Sequence, residues 1–590
     1  MLLLACSDGG TTPEDSATRG LDADQDGFPE GVDCDDLDAD VNPGATETAY
    51  DGVDNDCDES TPDDDLDGDG HLLASDCDDT DPLVNPEAAE SSYDGVDNDC
   101  DPETPDDDLD GDGFPLETDC DDGDPGRSPD AQELCDGGVD NDCDPETTPA
   151  PGSASFVNVD GVATDVSEAL AGAYVLDQPG TLYLCDGHWF TNLSVEADDV
   201  SIVGDGQDSA VLHGAESGPV VGATLVNGLT LQTLTVTDGD ASGGSTGVEG
   251  GGVYVEASTV LLSEVTISNS NAYYGGGLYG LKTAIIEGVQ FEENVAGYSA
   301  GGAYIGHNTT TMTATTFSLN FSQRDGGGLF FSSGVAHLSD VTFSSNKADE
   351  WGGGLGLLTT EATVVDTTFS QNDAGVSGGG MDIDRSTVSV SATSFTGNTA
   401  DRGGGLSIRD GLVTLTELSL TDNSAERDGG GLLLTDESIV TLTDSDLASN
   451  SAQFGGGLFI EDASAALDGT LFSQNVADSF NLAGSGGGIW LEEAGEVTLT
   501  ASELSGNTAT HSGGALYVSD DSSATLVETT VAANTADGEG GGIYVSSASA
   551  QATNCDFVNN ETQDLFHQDT STSYDWGTGA SFSCDREGCE

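Results

Sequence analysis

From residue 250 to residue 560, apolar and polar side chains alternate in short runs. Leu329 and Phe331 form one such run, Ala336 and Leu338 another, Val341 and Phe343 a third. Period two over three to five residues predicts short β-strands, because successive strand side chains point to opposite faces. A Gly-Gly-Gly or Gly-Gly-Ala triplet starts at residues 250, 275, 301, 326, 352, 378, 403, 429, 455, 486, 513 and 540. The steps are 25 to 27 residues, except for one of 31 that holds an insertion near residues 478–482. A unit this short cannot bury a face by itself, whereas stacked units close a continuous core. The pattern predicts an all-β chain whose body, residues 155–560, is a right-handed parallel β-helix.

Most triplets follow a Phe/Leu-x-x-Asn-x-Ala stretch, which places Asn294, Asn320, Asn346, Asn372, Asn398, Asn423, Asn450, Asn475, Asn507, Asn534 and Asn560 at one corner; the first unit has Ser270 there. We read this series as a structural ladder of amides. Tyr254, Tyr279, Tyr304, Tyr517 and Tyr544 fall on the outward phase and read as scattered surface residues rather than a sugar-stacking stripe. Residues 180–187 and 200–206 resemble the opening coils of β-helix proteins of the pectate-lyase-like superfamily. The glycine and Phe-x-x-Asn repeats resemble those of chlamydial polymorphic outer-membrane proteins. Residues 561–590 leave the repeat and read as a C-terminal cap with a local Cys584–Cys589 disulfide. Cys185 and Cys555 are expected to be buried singly.

The first 150 residues have no such apolar rhythm. They hold 51 of the 110 acidic residues and two Arg, a composition that cannot form an ordinary core. They do repeat. Cys34, Cys77 and Cys120 are each followed 23 residues later by Cys57, Cys100 and Cys143, with a period of 43 over residues 22–148. Recurring cysteines in an exported chain predict disulfides Cys34–Cys57, Cys77–Cys100 and Cys120–Cys143, or alternatively Cys57–Cys77 and Cys100–Cys120 between cassettes. Cys135 is an additional thiol.

Each cassette opens with Asp-x-Asp-x-Asp-Gly and a later Asp. The series are Asp22, Asp24, Asp26 and Asp33; Asp65, Asp67, Asp69 and Asp76; Asp108, Asp110, Asp112 and Asp119. As a loop these are positions 1, 3, 5 and 12, with a backbone carbonyl of Phe28, His71 or Phe114 available at position 7. Hard oxygen donors at this spacing suit Ca²⁺, with Mg²⁺ second and soft metals poorly served. Three or more Ca²⁺ ions are expected. A second acidic cluster could hold further ions: Asp51, Asp54, Asp56 and Asp58; Asp94, Asp97, Asp99 and Asp101; Asp136, Asp140, Asp142 and Asp144. No amphipathic helices flank the loops, and Pro29 and Pro115 sit inside two of them. The loops therefore resemble thrombospondin type 3 repeats. The whole cassette resembles a metal-binding repeat of surface proteins from myxobacteria and relatives. Part of that family is described as copper-binding, but these residues supply no evident copper ligands.

Met1 to Ser7 resembles the end of a bacterial lipoprotein signal (residues 1–6), which would place a lipid on Cys6 ahead of a polar tether, residues 7–21. No apolar run is long enough for a membrane-spanning helix. The net charge of -100 argues against nucleic acid as a partner, since phosphate backbones require Lys and Arg. Catalytic signals are weak. Arg324, Arg402 and Arg427 read as turn residues. Asp382, Asp384 and Asp401 could form a carboxylate pair, but 59 acidic residues follow residue 150, which empties the signal. His188, His213, His307, His337, His511 and His567 are dispersed. The expected function is a calcium-binding bacterial surface protein, either outer-membrane lipoprotein or secreted. Its β-helix would adhere to glycans or serve structurally on a calcium-stiffened stalk. The alternative is a secreted polysaccharide lyase or glycoside hydrolase.

Overall fold

The computed structural model describes residues 21–58, 63–91, 93–101, 107–136, 139–159, 161–242, 249–256, 259–281, 283–478, 484–561, 564–567, 573–576 and 581–583. The expected lipidation site Cys6 and the Cys584–Cys589 pair lie outside these residues. The chain divides into two units: Met1–Glu133 with Asp140–Thr148, and Leu134–Val139 with Pro149–Glu590. No helix occurs among the described residues, and none is therefore long and apolar enough to cross a membrane.

The second unit is an all-β right-handed parallel solenoid. Equivalent strands of consecutive coils pair in parallel, in register as in Phe317↔Phe343, Phe343↔Phe369 and Phe369↔Phe395, with register shifts between Ala272 and Tyr274, Ala374 and Ser377, and Ala400 and Arg402 on the face that precedes the glycine triplets. The strand after each glycine triplet begins one face and turns onto the next. In Ala303–Thr313, Leu329–Ser339 and Leu355–Val365 the two faces share one continuous strand, bent at His307, Ser333 and Thr359, which take positive φ. Inward residues form one continuous apolar core from Ala154 to Phe557. Within it Phe291, Phe317, Phe343, Phe369 and Phe395 stack with centroids 4.6–4.9 Å apart, matching the strand spacing.

The corner residues explain the sequence signature. The first glycine of the triplets has a positive φ, +66° at Gly352, except in the coil of Gly301, where Ala300 takes that conformation instead; residues other than glycine adopt it only with strain. The third is crowded by the next coil: a Cβ on Gly354 would lie 2.6 Å from the Gly380 carbonyl oxygen, although the coil of Gly513 carries Ala515 at this place. The asparagines form the expected ladder. Asn372 Nδ2 donates to Asn398 Oδ1 (3.0 Å) and to the Phe343 carbonyl (3.0 Å), while its Oδ1 accepts from Asn346 N–H and Nδ2, both 3.0 Å. At the start of the stack Ala154–Asn158 pairs antiparallel with Ala163–Asp165 and Gly180–Leu184, which breaks the parallel edge another chain could extend.

Two expectations fail here. Cys185 is not single: it is bonded to Cys135. Leu134–Val139 belongs to the solenoid unit, and Cys185 lies in an early coil beside Ser153, within reach of the incoming chain. Cys555 is buried and unpaired. The outward tyrosines are not scattered either, but stack in register, as Tyr254–Tyr279 and Tyr279–Tyr304 do.

The first unit consists of turns closed by Cys34–Cys57, Cys77–Cys100 and Cys120–Cys143. A buried asparagine sits at the middle of each cassette. Asn55 and Asn98 accept the Thr48 and Ser91 N–H on Oδ1 and receive the Asn42 and Asn85 N–H on their carbonyls.

Candidate metal centres

Each loop uses its aspartates first to fold itself. Asp22, Asp65 and Asp108 each accept a backbone N–H from three residues on, at 2.7 Å. Asp24, Asp67 and Asp110 accept the N–H two residues on at 3.2 Å. Asp26, Asp69 and Asp112 accept from Phe28, His71 and Phe114 at 2.8–2.9 Å. Asp33, Asp76 and Asp119 accept from Asp35, Asp78 and Asp121 at 2.8–3.0 Å. These turns spend one oxygen of the carboxylates at positions 3, 5 and 12 on the loop's own backbone.

At position 1 the second oxygen is used as well in two loops, where Asp65 and Asp108 Oδ2 accept the Gly70 and Gly113 N–H at 3.0 and 2.8 Å. In all three loops the Oδ2 atoms at positions 3 and 12 are buried without a hydrogen bond: Asp24 and Asp33, Asp67 and Asp76, Asp110 and Asp119. Asp26 and Asp112 Oδ2 are in the same state, whereas Asp69 Oδ2 receives Asn85 Nδ2 at 2.6 Å. The carboxylate oxygens of Asp22, Asp24 and Asp26 lie within 4.8 Å of one another. Desolvation raises the pKa of Asp24, Asp67 and Asp110. The Asp26, Asp69 and Asp112 N–H groups oppose that rise, and the neighbouring carboxylates of each loop add to it. The donor set is all carboxylate oxygen, and Cys34 and Cys57 beside Asp33 are closed as a disulfide. Such a set fits a hard divalent cation.

Sequence reasoning missed part of this geometry. Asp79 and Asp122 are almost fully buried with unpartnered oxygens beside the second and third loops, and Asp36 is their counterpart. In the second cluster Asp54 and Asp56 converge with Glu47. Glu90 and Glu133 accept from both N–H groups of the Asn-Asp pair, as Glu90 does from Asn98 and Asp99 at 2.9 and 3.2 Å, and Glu47 accepts the Asp56 N–H at 3.1 Å. Buried Glu47 Oε1, Glu90 Oε1 and Asp140 Oδ1 have no partner. Asp51 and Asp94 instead close turns onto Val53 and Val96. Asp58, Asp101 and Asp144 lend their N–H to Asp56, Asp99 and Asp142. Asp136 counts with the solenoid unit, apart from Asp140, Asp142 and Asp144.

The solenoid carries its own acid–base cluster. Asp382 is buried, and its pKa is pushed up to about 6 by desolvation, against Arg409 and Ser377. Desolvation also acts on Asp384, but ion pairs to Arg385 and Arg409 bring it below the usual range. Asp401 pairs with Arg427 instead. His188 and His213, expected apart, meet at 2.9 Å, and Asp238 holds the far nitrogen of His213 at 2.8 Å.

Residues 327–502 and 409–582 match the family model described as "Right handed beta helix region". Residues 33–63, 76–106 and 119–148 match one described as "Putative metal-binding motif". Together the first matches span less than half of the chain. The A-module of mannuronan C-5 epimerase AlgE6 from Azotobacter vinelandii is similar over 71% of this chain and 92% of its own, at 12% identity and a TM-score of 0.24. So loose a likeness lends nothing to the functional reading. No curated protein matches the chain.

Proposed function

We propose that the protein is a calcium-binding bacterial surface or secreted protein. Its acidic cassettes fold around Ca²⁺, and its β-helix serves as an adhesive or structural module. One observation carries this reading: the same two carboxylate oxygens, at positions 3 and 12, are buried and unpartnered in all three loops. Carboxylates withdrawn from water without a partner are costly, and their neighbours repel them. A bound cation removes both costs, so ion uptake and cassette folding are one reaction. The disulfides limit how far the ion-free chain can expand. A lipid on Cys6 would hold the protein to the outer membrane. Limited proteolysis of the oxidised full chain tests the linkage. Residues 22–148 resist cleavage with Ca²⁺ and are cut rapidly after chelation, while the β-helix resists in both. Equal cutting of the cassettes in both conditions refutes it.

A second reading, a β-helical enzyme acting on polysaccharide, is favoured by Asp382. A buried carboxyl with a pKa of about 6 beside arginines can exchange a proton near neutral pH. Release of new chain ends or unsaturated products from a polysaccharide panel, abolished in Asp382→Asn, supports it; no release from any member removes it.

A further inference from the structure

In the second and third loops position 1 is spent on the loop itself. Asp108 accepts the Gly111 N–H on Oδ1 at 2.7 Å and the Gly113 N–H on Oδ2 at 2.8 Å, and Asp65 holds Gly68 and Gly70 in the same way. A carboxylate from outside the twelve-residue loop stands ready in its place. Asp36, Asp79 and Asp122 follow three residues after position 12, at position 15. Asp36 and Asp79 accept the N–H at position 2, from Ala23 and Leu66, each at 3.4 Å, which lays this carboxylate against its loop. Asp79 is 4% exposed and its Oδ1 has no partner; Asp122 is 6% exposed and neither of its oxygens has one. A carboxylate buried this deeply is paired or holds a metal. Arg127, the cation nearest to Asp122 in the sequence, pairs with Asp121 instead.

The three loops differ in the buried, unpartnered oxygens they offer. In the third, Asp110, Asp112 and Asp119 each offer Oδ2 and Asp122 offers both oxygens, five in all. In the second, Asn85 takes Asp69 Oδ2, so Asp67, Asp76 and Asp79 offer one oxygen each. The third cassette has Ser128 where the second has Asn85, which leaves Asp112 Oδ2 available. In the first, Asp24, Asp26 and Asp33 offer one each, and Asp36 is only partly buried. Five carboxylate oxygens with the carbonyl expected from Phe114 make six, the least that calcium takes. A helix-flanked calcium loop draws its bidentate carboxylate from a Glu at position 12. Here position 12 is Asp119, whose Oδ1 is held by the Asp121 N–H, and Asp122 has both oxygens to give. Two oxygens of one carboxylate subtend far less than a right angle at an ion. The flexible shell of calcium accepts that, and the octahedron of magnesium does not.

We propose that Asp122 is the bidentate calcium ligand of the third loop, which makes this loop the tightest and most calcium-selective of the three, and that Asp79 gives a single oxygen in the second. This rests on the calcium reading of the cassettes. It is tested by titrating the oxidised full chain with Ca²⁺ and with Mg²⁺ against a chromophoric chelator, as wild type, Asp122→Asn, Asp79→Asn and Asp130→Asn. Asp130 is exposed in the same cassette, so its substitution removes an equal charge away from the loop. In the wild type one Ca²⁺ binds more tightly than the rest. Asp122→Asn weakens that ion by about tenfold or more and brings its Ca²⁺ and Mg²⁺ affinities together. Asp79→Asn leaves it in place and weakens another, while Asp130→Asn changes every affinity by less than about twofold. Proteolysis at saturating Ca²⁺ separates coordination from folding. Excess ion offsets a lost ligand by mass action, so the Asp122→Asn cassettes resist cleavage there as the wild type does. Cassettes that stay cut at saturating Ca²⁺ make Asp122 a folding residue and overturn the proposal. So does an Asp122→Asn affinity equal to that of Asp130→Asn, or loss of the tightest ion in Asp79→Asn instead. Absence of Ca²⁺ uptake by the wild type refutes the calcium reading itself, whereas three or more ions with an indifferent Asp122→Asn refute this ligand assignment alone.

Discussion

Asn372→Ala removes one rung from the middle of the asparagine ladder. Four hydrogen bonds go with it: two donated by Nδ2, to Phe343 O and Asn398 Oδ1, and two accepted by Oδ1 from Asn346. Asn398 Oδ1 keeps the Asn372 N–H, and Asn346 Nδ2 keeps Phe317 O. The Asn346 N–H is left with no acceptor in a fully buried position. Each net bond contributes about 1 kcal/mol, and a stranded buried donor costs about 1–3 kcal/mol more, so the substitution should cost about 5–7 kcal/mol. Because a solenoid is held by neighbour contacts, the loss should be local. Hydrogen exchange of residues 340–400, read alongside guanidinium unfolding, is the appropriate assay. Exchange there should accelerate by more than a hundredfold, while residues 500–550 stay protected. A change below 1 kcal/mol would refute the ladder as a structural device and reopen the asparagines as a ligand site.

Gly354→Ala drives a Cβ against the Gly380 carbonyl, and should lower the melting temperature of the β-helix while leaving the cassette disulfides formed. The raised pKa of Asp382, about 6 against an ordinary 3.8, means that the folded chain holds this proton to higher pH than the unfolded one. Its stabilising contribution is full below pH 4 and is lost as pH rises to 6. The wild-type protein should therefore lose about 3 kcal/mol across that window relative to Asp382→Asn, measured by urea unfolding at each pH; parallel curves would refute the assignment. Asp67→Asn removes a carboxylate whose second oxygen has no protein partner, and should reduce the number of bound Ca²⁺ ions by one without altering the three cassette disulfides.

The solenoid was legible because its constraints repeat. Closely packed glycines and asparagines that must meet their own kind recur in coil after coil, so Asn346 or Gly354 carries the signal of all its equivalents. The cassette disulfides were legible for the same reason. Cys135–Cys185 was not, because neither cysteine recurs in another copy and 50 residues separate them. Glu47, Glu90 and Glu133 do recur at 43 residues, as do Asp36, Asp79 and Asp122, but they fall outside the loop template of positions 1, 3, 5 and 12. They enter the candidate sites through folding of each cassette about its buried asparagine. The aromatic column was misread for a different reason. Residues 25 apart become neighbours only when coils stack in register, and pairing alone does not tell whether an outward ring stands in water or lies against the next.

The central claim is that each cassette takes up calcium, and the most direct measurement is the native mass of the oxidised full chain titrated with Ca²⁺, Mg²⁺ and Cu²⁺. The account predicts at least three Ca²⁺ ions per chain, bound ahead of Mg²⁺ and Cu²⁺. No preferential Ca²⁺ uptake, or tighter stoichiometric Cu²⁺ binding, would contradict it.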